Sequence, residues 1–493
     1  MSALLIVPLA IAIYLLVILI LQRKKLLGKH NLSLSGPILM WRTERGKNFI
    51  DQISKHKFWK HFGSFALVLS TVVGIAMFFV LIWSANLARK MPAERAPTPQ
   101  MLIGLPGINP LIPVGYGIVA LIIAIVLHEF SHGILARVAK VNLKSLGLLF
   151  LVVPLGAFIE PDDEELKRVA KLKRCSVFAA GPATNILVAL VCACIFSWIF
   201  MSAVAPVADG IFVTGVFRET PAENEIPLGA IVTKLNDSDT KSFDDFFPNI
   251  AKTKANQTVN ITFYYRGNFI NKNITLGDRG DGCGYLGIEC SDPKAVQTLL
   301  SRPFYKAESV NEFIGRSFYY VSLPFLALEG RSPLSQPWTD IYTVQGPLGF
   351  LPPWLFWLLA NLFYWVFWLN LALGMTNALF AVPLDGGYMF RDFADFLIIK
   401  RRYAVPIIIA LLCALFLLIL LSALPSLFSL ALLIIWLAAI CTISITIATE
   451  LRLGFGIAEL APEERDNLVK PISYALSLTI LFLILWLIIR PRV

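Results

Sequence analysis

The sequence predicts a polytopic α-helical membrane protein of about eight spans, with a re-entrant hairpin and a small, mostly β domain inserted between spans. Three observations carry that reading. Of 493 residues, 57% are hydrophobic and only 15% charged, and the mean hydropathy of +0.69 lies well above the soluble globular range. Apolar stretches of about 20 residues, the length that crosses a bilayer core, recur along the chain. Between two of them lies a long polar region in which short β-branched and aromatic strings alternate with turn residues. Soluble-enzyme classes therefore fit poorly. The net charge of +10 would suit nucleic acid, but Lys and Arg gather in short clusters beside the apolar stretches, the pattern that orients spans in a bilayer. The partner those clusters imply is the lipid bilayer, and no nucleic acid is expected.

In chain order the expected spans are 3–21, 64–88, 111–136, 175–203, 353–382, 404–423, 426–448 and 471–489. The first is followed by Arg23-Lys24-Lys25, the reverse of the order in a cleaved signal peptide, so it reads as a retained span. Ten Lys and Arg residues lie between Arg23 and Lys60, against three between Arg89 and Arg95, which puts the first loop in the cytoplasm. Alternation places the basic loop from Arg137 to Arg174 inside, the polar region 205–351 outside, and Lys400-Arg401-Arg402 inside again. The sequons at Asn236, Asn256, Asn260 and Asn273 suit an extracytoplasmic face. Leu146 to Ile159 is apolar but too short to cross. It reads as a re-entrant or sheet-like hairpin, or an interfacial loop, and a free strand edge there would accept an extended peptide.

Within the polar region, Ile211–Phe217, Ala230–Leu235 and Val259–Tyr265 read as strands and Phe243–Lys252 as a helix. The order resembles a PDZ domain: Glu219-Thr-Pro-Ala222 before a helical turn, Gly229-Ala-Ile-Val232 as a strand, then Asn236-Asp237 and the short helix. That resemblance implies that a peptide or substrate tail is bound by strand addition, with a steric cap as the plainer alternative. The seven cysteines contain no C-x-x-C pair, and Cys283 with Cys290 is the one pair placed to form a disulfide on an oxidising face.

One apolar stretch carries ionisable groups. Leu127-His128-Glu129-Phe130-Ser131-His132-Gly133 places two histidines and a glutamate where hydrocarbon makes them costly. In H-E-x-x-H on a helix, the i and i+4 histidines share one face and offer their nitrogens to one metal ion, while the glutamate stands close enough to act on a metal-bound water. A catalytic zinc takes three protein ligands. His30, His56 and His61 sit in the first basic loop, so the third ligand is expected to be a carboxylate, from Glu160–Glu165 or from Asp385. Asp385 follows Asn377-Ala-Leu-Phe-Ala-Val-Pro383-Leu384 and precedes Gly386-Gly387, which permit close backbone approach. His128 lies roughly 25 Å along a span running inward, and Asp385 ends another span of the same direction. Gly181-Pro-Ala-Thr-Asn185 brings polar groups to a similar depth on a third helix.

These residues together resemble the site-2 protease family of intramembrane zinc metalloproteases: His128-Glu129-Phe-Ser-His132-Gly133, then Gly181-Pro-Ala-Thr-Asn185, then a PDZ-like domain, Gly346-Pro-Leu-Gly349, and Asn377…Pro383-Leu-Asp385-Gly386-Gly387. The match covers residues 110–395. Phe380 departs from it, since many members have proline there. The resemblance implies Zn2+ held by His128, His132 and Asp385, Glu129 as general base, and Asn185 and Asn377 as partners of the substrate backbone or oxyanion. It implies transmembrane protein substrates, pre-cleaved by another protease. It also implies a multi-pass protein of the cell membrane, with its site toward the cytoplasmic leaflet and the PDZ-like domain outside. The chain then divides into N-terminal spans and basic loop (1–110), a first catalytic half (111–204), the PDZ-like domain (205–290), a linker or interfacial segment (291–352), a second catalytic half (353–395) and C-terminal spans (396–493). Two other classes use similar residues: a membrane metal transporter, and an inactive relative acting as a membrane-protein chaperone.

Overall fold

The structure is a computed structural model describing residues 3–23, 31–35, 38–88, 91–92, 96–151, 153–278, 280, 282–303, 309–328, 331–399 and 462–489. Its main helices are α1 (Ala3–Arg23), α2 (Lys47–Ser54), α3 (Phe58–Ala88), α4 (Val114–Val138), α5 (Lys171–Cys194), α6 (Pro353–Asn377), α7 (Asp385–Ile399) and α8 (Pro462–Ile489). Four described helices are long and apolar enough to cross a membrane: Phe58–Ala85, Val114–Val138, Lys171–Ala203 and Pro353–Asn377. A helix satisfies every backbone group internally, which is why apolar runs of this length take that form in lipid. The expected end spans are the helices α1 and α8, whereas those at 404–423 and 426–448 lie outside the described residues.

The chain divides into two compact units. The first comprises Met1–Ile103, Ile118–Ala189 and Leu369–Val493. Its core joins Ile134 of α4, Ala179, Ala180 and Ala183 of α5, and Met389 of α7. The alanines let neighbouring backbones come close, and Ser70 Oγ of α3 donates to Ala179 O at 2.9 Å. Ile480, Leu483 and Trp486 of α8 pack on Leu81 and Ala85 of α3 and on Leu379 and Ala381.

The short apolar run after α4 is a β-hairpin in an antiparallel four-stranded sheet. Its strands are β1 (Leu32–Ser35), β2 (Ile38–Thr43), β3 (Leu143–Leu151) and β4 (Val153–Pro161), paired in that order. The first two come from the basic segment after the first span, which composition alone presents as a loop. Arg42 of β2 reaches across to pair with Glu160 of β4, and Ser145 Oγ of β3 donates to the same carboxylate at 2.6 Å. The basic segment thus braces the hairpin. The Ser145 hydroxyl, joined by Arg42 and Lys144, holds the Glu160 carboxyl below the usual carboxylate range.

The second unit comprises Gly104–Gly117 and Leu190–Trp368. Its six-stranded sheet runs Asn268–Thr275, Thr258–Tyr265, Ile231–Leu235, Ile211–Val216 and Ile288–Ser291 side by side, with Ser238–Asp239 on Ile231–Leu235. Inward residues Ile211, Val213, Val232, Ile261 and Phe263 form its core together with Phe246 of the helix Phe243–Ala251, whose start is fixed by a Ser242–Asp245 capping box. These elements fall where the β-branched strings predict them. Cys283 and Cys290 form no disulfide. After this domain the helix Val310–Leu328 buries Tyr320 and Leu323 and exposes Phe313, Phe318 and Phe325. Tyr364 Oη of α6 donates to Tyr320 O at 2.9 Å, and Tyr320 Oη donates to Ala193 O at 3.3 Å.

Candidate active site

Three helices, α4, α5 and α7, converge on three side chains. His128 and His132 stand one turn apart on α4, and their Nε2 atoms are 3.1 Å from each other. Asp385 is the first residue of α7, and its Oδ2 lies 3.1 Å from His128 Nε2 and 3.3 Å from His132 Nε2. Among the described residues this is the one group of three or more His, Cys, Asp or Glu side chains able to share an ion. A tetrahedral zinc with ligands at ~2.0–2.1 Å has ligand-to-ligand distances of about 3.3 Å. The three atoms therefore have the spacing that would suit three ligands of one such ion.

The outer nitrogen of His132 supports that fit. His132 Nδ1 is 2.7 Å from Val177 O. A carbonyl only accepts, so Nδ1 carries the proton and, in the neutral ring, Nε2 directs its lone pair into the group. His128 Nδ1 is buried without a hydrogen-bond partner among the described residues.

Gly181 of α5 makes the convergence possible. A Cβ there would sit 2.6 Å from His128 Nε2 and would also overlap His132 Nε2. Only a residue without a side chain lets α5 lie against both imidazoles. The sequence places Gly181 in a polar cluster but does not assign this role; the signal is a glycine well inside an apolar helix. Asn185, one turn further along the same face, is fully buried, and both its side-chain polar atoms lack partners among the described residues.

Glu129 points to the hairpin side, where its Oε2 accepts from Ile159 N of β4 at 3.3 Å. Ile159 is paired with Leu146 on the β3 side, so the amide facing Glu129 belongs to the outer edge of β4. Gly133 clears room for this approach, since a Cβ there would be 2.8 Å from Ile159 Cδ1. The acidic run after the hairpin is engaged elsewhere. Glu160 pairs with Arg42, Asp162 caps the helix Asp163–Arg168, and Glu165 accepts from Asn142 N at 2.6 Å. Of the two carboxylate sources for a third ligand, the structure brings Asp385 to the histidines.

The helix α6 ends at Asn377 rather than running on to residue 382. The turn from Ala378 to Leu384 folds tightly, and a Cβ at Gly387 would meet Val382 N at 2.5 Å. Phe380, the departure from the family pattern, lays its ring on Gly74 of α3, where a Cβ would be 2.9 Å away, and contacts Phe390 at a centroid distance of 5.9 Å. Asp385 reaches the histidines with phenylalanine at that position. Asn377 is half-buried at the end of α6.

Residues 116–421 match the model of Peptidase family M50, well over half of the chain. An uncharacterized protein of Methanocaldococcus jannaschii is 26% identical over 373 residues, which cover 74% of this chain and 80% of that protein. The solved PDZ domain of the SdrC-like protein of Listeria monocytogenes is similar at 24% identity, covering 20% of this chain and 97% of the domain, with a TM-score of 0.17.

Proposed function

This chain belongs to peptidase family M50, and we propose that it is an intramembrane zinc metalloprotease that hydrolyses peptide bonds within transmembrane segments of membrane proteins. The observation that carries this reading is the meeting of His128, His132 and Asp385 at ligand spacing on apolar helices, with Glu129 next to His128 in the chain and its carboxylate on the hairpin edge. Zinc held by these three side chains would lower the pKa of a bound water toward ~7 and polarise the scissile carbonyl. Glu129 takes the water's proton as the new C–O bond forms and delivers it to the amine as the C–N bond breaks. Asn185, with its polar atoms unpartnered, and Asn377 receive the substrate backbone or its developing oxyanion.

The outer edge of β4 gives the substrate its seat. A transmembrane helix must unwind before its backbone carbonyl is accessible, and an extended segment added to β4 would exchange its lost helical hydrogen bonds for strand pairing. The hairpin serves as a re-entrant element at membrane depth, where irregular backbone is tolerated only against protein. The basic clusters support a cell-membrane protein with its site toward the cytoplasmic leaflet and the 205–290 domain outside, where that domain filters substrates already shortened by another protease. The 291–352 segment is interfacial, in keeping with the exposed phenylalanines of Val310–Leu328. The parts 1–110, 111–204, 353–395 and 396–493 act as basic brace, two catalytic halves and C-terminal spans.

The test is Glu129→Gln, purified beside the parent, with bound zinc and cleavage of a transmembrane substrate both measured. The expected outcome is parental zinc content with cleavage lowered about 10²–10⁴-fold. Parental cleavage by the variant removes Glu129 from the chemistry, and a parent that moves zinc into liposomes without cleaving anything points to transport instead.

A further inference from the structure

The ligand Asp385 opens α7, and α7 runs antiparallel to α5 through a ladder of paired side chains. Lys171 of α5 forms an ion pair with Asp395 of α7. Arg174 grips Asp392 with a two-pronged contact, its Nε donating to Oδ2 at 2.7 Å and its Nη2 to Oδ1. Phe178 stacks on Tyr388 at a centroid distance of 5.2 Å and an interplanar angle of 22°. Gly181 then lies against the histidines that Asp385 touches. Each step of three or four residues forward along α5 meets an equal step backward along α7, so one register runs unbroken from the ion pairs to the ligand.

We propose that Arg174–Asp392, supported by Lys171–Asp395, is the positioning device that sets this register and thereby places Asp385 Oδ2 against His128 and His132. The inference rests on the metal-site reading above. Its physical ground is that apolar contacts fix how far apart two helices lie far better than how far one has slid along the other. The Phe178–Tyr388 stack and the Ala179, Ala180 and Ala183 surface permit sliding, and one residue of slip moves Asp385 by ~1.5 Å. Ligand atoms must be held to about 0.2 Å. A planar guanidinium on a carboxylate admits one alignment, and the pair is well shielded, with side-chain exposures of 19% and 9%. Asp392 lies seven residues beyond Asp385, roughly 10 Å along the helix, so it acts through the helix and touches no reacting atom.

The test uses full-length protein in detergent and Co2+ as probe, with affinity read by competition against a chromophoric chelator and ligand geometry by the cobalt d–d absorption. Asp392→Asn and Arg174→Lys are the single variants, the second keeping the charge while losing the fork. The swapped pair combines Arg174→Asp with Asp392→Arg. Each single variant is expected to bind Co2+ at least ~10-fold more weakly with an altered d–d band. Arg174→Lys should do so with a melting temperature close to the parent's, and the swap should return affinity to within about threefold of the parent. Should Asp392→Asn not purify, Arg174→Lys and the swap decide. Parental affinity and spectrum in Arg174→Lys overturn the inference, as does a folded swap with no recovery. A parent that binds no Co2+ overturns the metal-site reading itself, which separates the two failures.

Discussion

Gly181→Ala places a methyl group where two histidine nitrogens converge. With the Cβ at 2.6 Å from His128 Nε2, about 0.9 Å of separation is missing relative to an ordinary contact of ~3.5 Å. His132 Nε2 is crowded on the same side, so neither imidazole can relieve the overlap by turning toward the other. Either α5 retreats or the two nitrogens spread, and a displacement near 1 Å is several times the ~0.2 Å tolerance of a zinc ligand. Metal affinity should therefore fall about 10–100-fold, and cleavage of a transmembrane substrate by about 10²-fold at fixed metal. The fold should lose only the ~1–3 kcal/mol typical of one extra carbon in a packed core. Chelator competition on the purified variant, read beside its thermal unfolding and a cleavage assay, tests all three. A folded Gly181→Ala protein with parental affinity and parental cleavage would refute the close-approach argument.

Asp385→Ala removes one of the three proposed ligands, so zinc measured after dialysis should fall to the level of chelator-stripped parent; full retention would assign the third ligand elsewhere. Glu160 has a depressed pKa, so the stability it lends the hairpin is present above its unfolded value of ~4.3 and is lost as pH falls through the lower folded value. Protection of the β3–β4 amides, taken relative to the intrinsic exchange rate at each pH, should fall on acidification through that window in the parent, and Glu160→Gln should remove that fall; an unchanged protection profile in the parent would remove the Arg42 brace. In the 291–352 segment, Tyr320 meets Ala193 and Tyr364, which lie ten and eleven residues from the nearer ends of the helices Lys171–Ala203 and Pro353–Asn377, or roughly 15 Å along each, so the helix Val310–Leu328 is expected to dip from the interface into the bilayer. Tryptophan in place of Phe318 should be quenched by spin labels on lipid acyl chains, and quenching by aqueous iodide alone would place this helix in water.

The membrane class, four of the spans and the strands of the inserted β domain were legible in the sequence because each rests on local composition and periodicity. Ile211–Val216 and Thr258–Tyr265 are bounded where their β-branched strings end. The H-E-x-x-H pair was equally legible, because an i, i+4 relation is fixed by helix geometry alone. The strands β1 and β2 were not. Leu-Ser-Leu-Ser and Ile-Leu-Met-Trp-Arg-Thr are too short to stand out inside a basic segment; β3 offers β2 an edge, and β2 in turn offers one to β1.

Sequence alone thus determined that two histidines and a glutamate would share a helix in a membrane, and it put Asp385 forward as a partner on grounds of depth. Tertiary structure decided the choice, since the rival carboxylates Glu160, Asp162 and Glu165 are each committed to a nearby cation, amide or helix cap. It also decided what holds the choice in place. Gly181 owes its importance to an absent atom, and the pairing of Arg174 with Asp392 spans 218 residues of chain, so neither is written in any local pattern. Both follow only when α5 and α7 are set side by side, because a contact between distant segments depends on the packing of the whole unit rather than on the residues beside it.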